Sequence, residues 1–112
     1  MSVSTMFEDG WDMMAEEVHL TAVEKGWWDE PRTNAECIAL IHSELSEALE
    51  ALRNGNPPDD KIPKYTGAEA ELADVVIRIM DMATRNEWDI AGALTEKAEY
   101  NVGRERRHGK EF

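Results

Sequence analysis

The sequence predicts an all-α fold, a four-helix bundle forming a single domain over residues 1–112, on three observations. Thr-x-x-Glu capping boxes recur at Thr5/Glu8, Thr33/Glu36 and Thr66/Glu69, each ahead of a run whose apolar residues fall at helical spacing. Short β-branched alternations bounded by turns, the mark of strands, are absent. A chain of 112 residues with 42% hydrophobic content has material for one core but not two.

The first helix is expected from about Thr5 to Lys25, with a seam of Phe7, Trp11, Met14, Val18 and Ala22 and a stop at Gly26. A linker through Trp27, Trp28 and Pro31 leads to Thr33, which opens a second helix to about Arg53, closed by Asn54-Gly55. Residues 56–66 carry three prolines, several charges and no periodicity, so they form a long loop of the kind that often serves as a functional lid. The third helix follows from Thr66 to about Arg85, and Asp89 caps a fourth running to about Arg104.

The formal charge of −12 repels phosphate backbones, which argues against a nucleic-acid partner, and any phosphate-bearing ligand must be drawn in locally by clustered bases or a bound cation. The single Cys37 cannot form an internal disulfide. The N-terminus lacks a basic n-region and an apolar h-region, and no run approaches the roughly 18 apolar residues of a membrane span. The expectation is a cytoplasmic protein with no membrane partner.

On the second helix the main apolar stripe is Ile38, Ile41, Leu45, Leu49 and Leu52. A thinner one, Leu40, Ala48 and Ala51, has Glu44 and Glu47 among its members, where a partner helix can cover them. The apolar arc of the third helix spans about 220° and leaves a narrow polar strip of Glu71, Asp74, Arg78, Asp81 and Arg85. That strip reads either as a solvated face with Asp74/Arg78 and Asp81/Arg85 pairs, or as half of a metal site.

The chemical reading rests on two pairs at i,i+3, Glu44/Glu47 and Glu71/Asp74, each setting two carboxylates side by side. Four facing anions repel unless a hard divalent cation joins them, and an all-oxygen set suits magnesium, with manganese as a substitute. A di-iron bundle needs Glu-x-x-His, which this chain does not offer at these positions. On the fourth helix the stripe Ile90, Leu94, Lys97, Asn101, Arg104 turns from apolar to polar. Residues 97–112 carry net charge +2 against −14 for the rest, a basic cluster suited to a triphosphate. Those C-terminal arginines equally complement a helix dipole.

The segments VEKGWWDEP, LIHSELSEALEALRNG, AELADVVIRIMDMA and EKAEYNVGRERRHGK together resemble the MazG-like all-α nucleotide pyrophosphohydrolases from about Val18 onward. The resemblance implies a helical homo-oligomer, a homodimer or dimer of dimers, whose core is completed by self-association. It also implies a magnesium-dependent hydrolase of (deoxy)nucleoside triphosphates that yields the monophosphate and pyrophosphate, with a role in nucleotide-pool house-cleaning. Carried over by position, Glu44, Glu47, Glu71 and Asp74 match the metal ligands, and Lys97, Asn101 and Arg104 match the polar C-terminal helix that meets substrate. The tail Arg104-Glu105-Arg106-Arg107-His108-Gly109-Lys110 departs from the family's Arg-Pro-Tyr-Arg-His-Gly-Gly style.

On this reading Glu44 or Glu47 also acts as the catalytic base toward the attacking water. Asp81, one face with Asp74, is a candidate to orient the site or a ligand's sugar. Trp27 and Trp28 read as packing anchors or as a base-stacking surface, with Trp28 carried among the candidate substrate contacts. His19, His42 and His108 read as structural or exposed, and Met13, Met14, Met80 and Met82 as core filler. The competing reading is a catalytically inert helical dimerisation or regulatory module of the same fold.

Overall fold

The computed structural model describes residues 2–112, and its helices fall where the punctuation sets them: α1 over Val3–Glu24, α2 over Asn34–Arg53, α3 over Gly67–Asn86 and α4 over Ile90–Val102. Thr33 and Thr66 each close a full capping box, their side chains accepting from the N–H of Glu36 and Glu69 while those glutamates accept from the cap backbone. The first box does not form. Ser2 lies three residues upstream of Thr5 and its hydroxyl accepts from the Thr5 N–H, so α1 begins a turn earlier and Thr5 is already helical. Asp89 caps α4 through the N–H of Gly92, and Gly103 ends that helix short of Arg104.

Helices α2 and α3 run antiparallel. Asn34 and Asn86 exchange side-chain hydrogen bonds of 3.2 and 2.8 Å at one end. At the other, Gly67 approaches so closely that a Cβ there would lie 3.1 Å from that of Ala51. α1 packs on the other flank of α3, and α4 packs on α1. The wide apolar arc of α3 thus has a physical reason: it faces two helices at once.

The loop between α2 and α3 is held by hydrogen bonds within itself and to the start of α3. Asp59 accepts from the N–H groups of Lys61 and Ile62 at 2.9 Å each, and its own N–H donates to the Tyr65 carbonyl at 2.8 Å. The Asn56 side chain, from a left-handed backbone at φ 53°, accepts from the Ala68 N–H and ties the loop to the start of α3.

On α2 the thin stripe is the buried one, and of the expected main stripe only Ile41 joins it. Contact with α3 is made by Cys37, Ile41 and Ala48, all buried, with Leu40, Glu44 and Ala51 half-buried beside them. The broader stripe is left open, with Ile38 45%, Leu45 42%, Leu49 50% and Leu52 56% exposed. Small residues let α3 approach the thin stripe, and helices packed at close range bury the narrow face rather than the bulky one. On α1 the buried residue is Ala15, whereas Phe7 and Met14 of the expected seam are exposed, as is Met13; Met80 and Met82 are buried as expected.

No large side chain among the described residues is fully buried. The radius of gyration, 16.3 Å, exceeds the roughly 13 Å of a compact chain of this size. Exposed apolar residues also line α1 (Val3, Met6, Leu20) and α4 (Leu94, Tyr100, Val102), and no described helix is long and apolar enough to cross a membrane.

Candidate metal centre

Antiparallel pairing sets the middle of α2 against the first half of α3, and three of the four expected carboxylates converge there. Ligand oxygens of Glu44, Glu47 and Glu71 all lie within 4.8 Å of one another. Glu44 and Glu71 are half-buried and Glu47 is exposed, so the group opens to solvent on the Glu47 side. One Glu71 oxygen, Oε2, is buried and has no hydrogen-bond partner. An orphaned acceptor of this kind costs roughly 1–3 kcal/mol unless something occupies it.

Electrostatics at the trio follow from that geometry. Burial, then the adjoining Glu44 and Glu47 carboxylates, push the Glu71 carboxyl from 4.5 up to about 7. Asp74, one turn on, is not in the trio but is held in the same field: burial and then the Glu44 charge raise its pKa, with the Arg78 guanidinium opposing. Asp59 on the α2–α3 loop raises it further, a contribution that helical spacing does not reveal because it arrives from a loop.

An open cavity of about 310 Å³ adjoins the carboxylates, lined by Lys25, Trp27, Glu44, Asp74, Arg78 and Asp81 among others. Arg78 bonds Glu44 across the helix pair, Nε to Oε1 at 3.0 Å, rather than Asp74 on its own helix. Neither of the i,i+4 ion pairs of the solvated-face reading forms among the described residues; Asp74 and Arg85 of the strip are exposed, whereas Glu71, Arg78 and Asp81 are half-buried. Lys25 and Arg78 are the cations of this cavity, and sequence reasoning did not single them out; Arg78 was legible only as the residue one turn after Asp74 on the same face.

Asp81 reaches the cavity as the centre of a polar knot. Its Oδ1 lies 2.7 Å from His19 Nδ1, and the Trp28 indole N–H donates to Oδ1 and Oδ2 at 2.9 and 3.2 Å. Trp28 is therefore an anchor: it packs against the Cys37, Ile41 and Met82 cluster, with the Arg85 guanidinium 5.1 Å over its ring. Of its two sequence readings, these contacts are those of the packing anchor. Trp27, 53% exposed on the cavity wall, has the Arg32 and Arg78 guanidinium groups 5.6 and 5.8 Å from its ring centre.

Lys97 and Asn101 on α4 and Arg104 just beyond its end are exposed, and none of them lines the cavity beside the carboxylates. Lys97 instead faces a separate open groove with Ala93, Glu96 and Tyr100, and Arg104 stacks on Tyr100 at 5.6 Å. Because α4 packs on α1, the inward turn expected of its polar stripe does not occur within one chain. No family model, curated protein or solved structure gives a significant match to the chain, so the reading of function rests on these side chains and on the resemblance of its segments.

Proposed function

We propose that the chain is a magnesium-dependent hydrolase of (deoxy)nucleoside triphosphates, cleaving the α,β-phosphoanhydride to the monophosphate and pyrophosphate as a nucleotide-pool house-cleaning enzyme of the MazG-like kind. The observation that carries the reading is the convergence of Glu44, Glu47 and Glu71, with a buried Glu71 oxygen lacking any partner. Three carboxylates at this separation repel, and the metal-free chain relieves this with a proton on Glu71 that its Glu44 and Glu47 neighbours favour; a hard divalent cation would take that proton's place, and an all-oxygen donor set favours magnesium, or manganese in its place. Bound there, the cation would neutralise and orient the triphosphate.

The chain's own groups supply the rest. Glu47 is the better general base, since it is exposed toward solvent and free of the ion pair that engages Glu44. Asp74 completes the acidic wall, and the exposed indole of Trp27 offers an apolar face for a base. The cleaved bond is the part of the proposal that comes from the resemblance alone. It is tested by incubating a panel of nucleoside triphosphates with magnesium and separating the products; stoichiometric orthophosphate without pyrophosphate would remove the chain from this reaction class.

The second reading, an inert helical module, is favoured by one observation: Arg78 already pairs with Glu44 without a metal ion. Absence of turnover on every triphosphate, with magnesium and manganese, would select it. Self-association belongs to either reading and is supported by the open apolar stripe of α2.

A further inference from the structure

The cavity's two cations differ in what holds them. No hydrogen bond or ion pair engages the Lys25 side chain among the described residues, whereas the Arg78 side chain is tethered by a single contact, Nε to Glu44 Oε1 at 3.0 Å. A guanidinium has five donors in a planar fork, and among the described residues the chain bonds only this one, leaving both Nη groups of Arg78 uncommitted. The side chain is 29% exposed and lines the cavity between Glu44 and Asp74. Its CZ also stands 5.8 Å from the Trp27 ring centre, so the guanidinium has a second resting surface on the cavity wall once Glu44 is given up.

Glu44 cannot serve two cations at full strength. A divalent ion drawn to the Glu44, Glu47 and Glu71 trio competes with Arg78 for the same carboxylate, and the guanidinium released by that competition lies in the cavity where a polyanion would enter. We propose that Arg78 is the counter-cation of Glu44 in the metal-free chain and the phosphate-binding fork of the loaded site, passing from Glu44 to the substrate's phosphates when a divalent cation takes the carboxylate. The inference rests on the triphosphate reading and adds to it the residue that meets the phosphates. Planar bidentate donors suit phosphate oxygens, which an ammonium on Lys25 engages only as a point charge. The exchange also favours metal before triphosphate, because an Arg78 still paired with Glu44 has its charge offset by that carboxylate and its Nε edge occupied, leaving only the Nη groups to meet a phosphate.

The test is calorimetry on the full chain and on Arg78→Gln and Arg78→Lys, first with magnesium alone and then with the four α,β-imido deoxynucleoside triphosphates in saturating magnesium. Arg78→Gln should bind magnesium several-fold more tightly than wild type, having lost the competitor at Glu44. It should bind the best analogue on the order of tenfold to a hundredfold more weakly, the usual cost of a charge-assisted hydrogen bond. Arg78→Lys, which keeps the charge and protects the test should the glutamine variant fold poorly, should hold magnesium as wild type does and lose an intermediate share of analogue affinity. Two outcomes overturn the exchange: analogue affinity unchanged in Arg78→Gln, or magnesium affinity lowered in it, which would mean that Arg78 steadies Glu44 for the metal rather than competing with it. A wild-type chain that binds neither magnesium nor any analogue removes the triphosphate reading itself, a different failure from either of these.

Discussion

The Trp28 indole N–H is shared between the two carboxylate oxygens of Asp81, at 2.9 and 3.2 Å, and the same carboxylate meets His19 Nδ1 at 2.7 Å. One side chain of α3 thereby fixes both α1 and the linker that follows it. Replacing Asp81 by Ala leaves the indole N–H and the imidazole without their acceptor, and the expected loss is about 1–3 kcal/mol of unfolding free energy. Trp28→Phe, which removes a single donor and some packing, should cost less than Asp81→Ala by urea titration. Equal and negligible effects would mean the knot contributes nothing to stability.

The carboxylate trio predicts an inverted response to mutation. Glu71→Gln removes an anion from a repulsive group and lets the buried oxygen's place be taken by a neutral amide, so the metal-free variant should melt at or above the wild-type temperature. The same variant should lose the rise in melting temperature that magnesium gives the wild type, and lose turnover. Asp74→Asn should behave in the same direction. Unfolding of either variant without metal, where wild type stays folded, would make these carboxylates structural.

The pH dependence of the metal-free chain has a definite sign. With the Glu71 carboxyl raised from 4.5 to about 7, the folded chain holds a proton that the unfolded chain releases. This group's contribution is present in full below about 4.5 and is lost as pH rises through about 7. Denaturation midpoints measured in chelator from pH 4.5 to 8 should fall over that window, less steeply in Glu71→Gln, and magnesium should recover the loss at the alkaline end. A midpoint that rises across the window in wild type would contradict the assignment.

The caps separate sequence expectation from structure at single positions. Thr33→Ala and Thr66→Ala each break a formed capping box and should cost about 1 kcal/mol. Thr5→Ala should cost little, because Ser2 holds the cap of α1. Thermal melts of the three variants decide this, and a Thr5→Ala loss equal to the other two would restore the first capping box.

The open stripe of α2 predicts self-association. The wild-type chain should sediment as a dimer or larger, and Leu49→Glu, at a position 50% exposed in the single chain, should shift it toward monomer while leaving helix content intact. A wild type that sediments as a monomer at every concentration would leave the stripe without a partner copy.

Helix type, number and order were legible in the sequence because they are local. Thr33, Thr66 and Asp89 act on N–H groups two or three residues away, and glycines at 26 and 55, with φ of 88° and 84°, take the left-handed conformation that ends a helix. The convergence of Glu44, Glu47 and Glu71 was legible for a similar reason: i,i+3 spacing puts two carboxylates on one face, and α3 folds back on α2, its neighbour in the chain.

What only the tertiary structure decided is which face of each helix meets a neighbour. Hydrophobicity alone ranks the Leu45 and Leu49 stripe of α2 above the Ala48 stripe, yet close approach depends on side-chain size, and the small face won. The same limit set Trp28 against the core cluster, gave Glu44 to Arg78 rather than leaving Arg78 to Asp74, and set Lys97 and Asn101 on a helix that packs against α1. Periodicity specifies a residue's angle about its own helix axis. It carries no information on the rotation of that axis against another, and it is that rotation, chosen by packing across the whole bundle, which selected the carboxylates and cations that share one cavity.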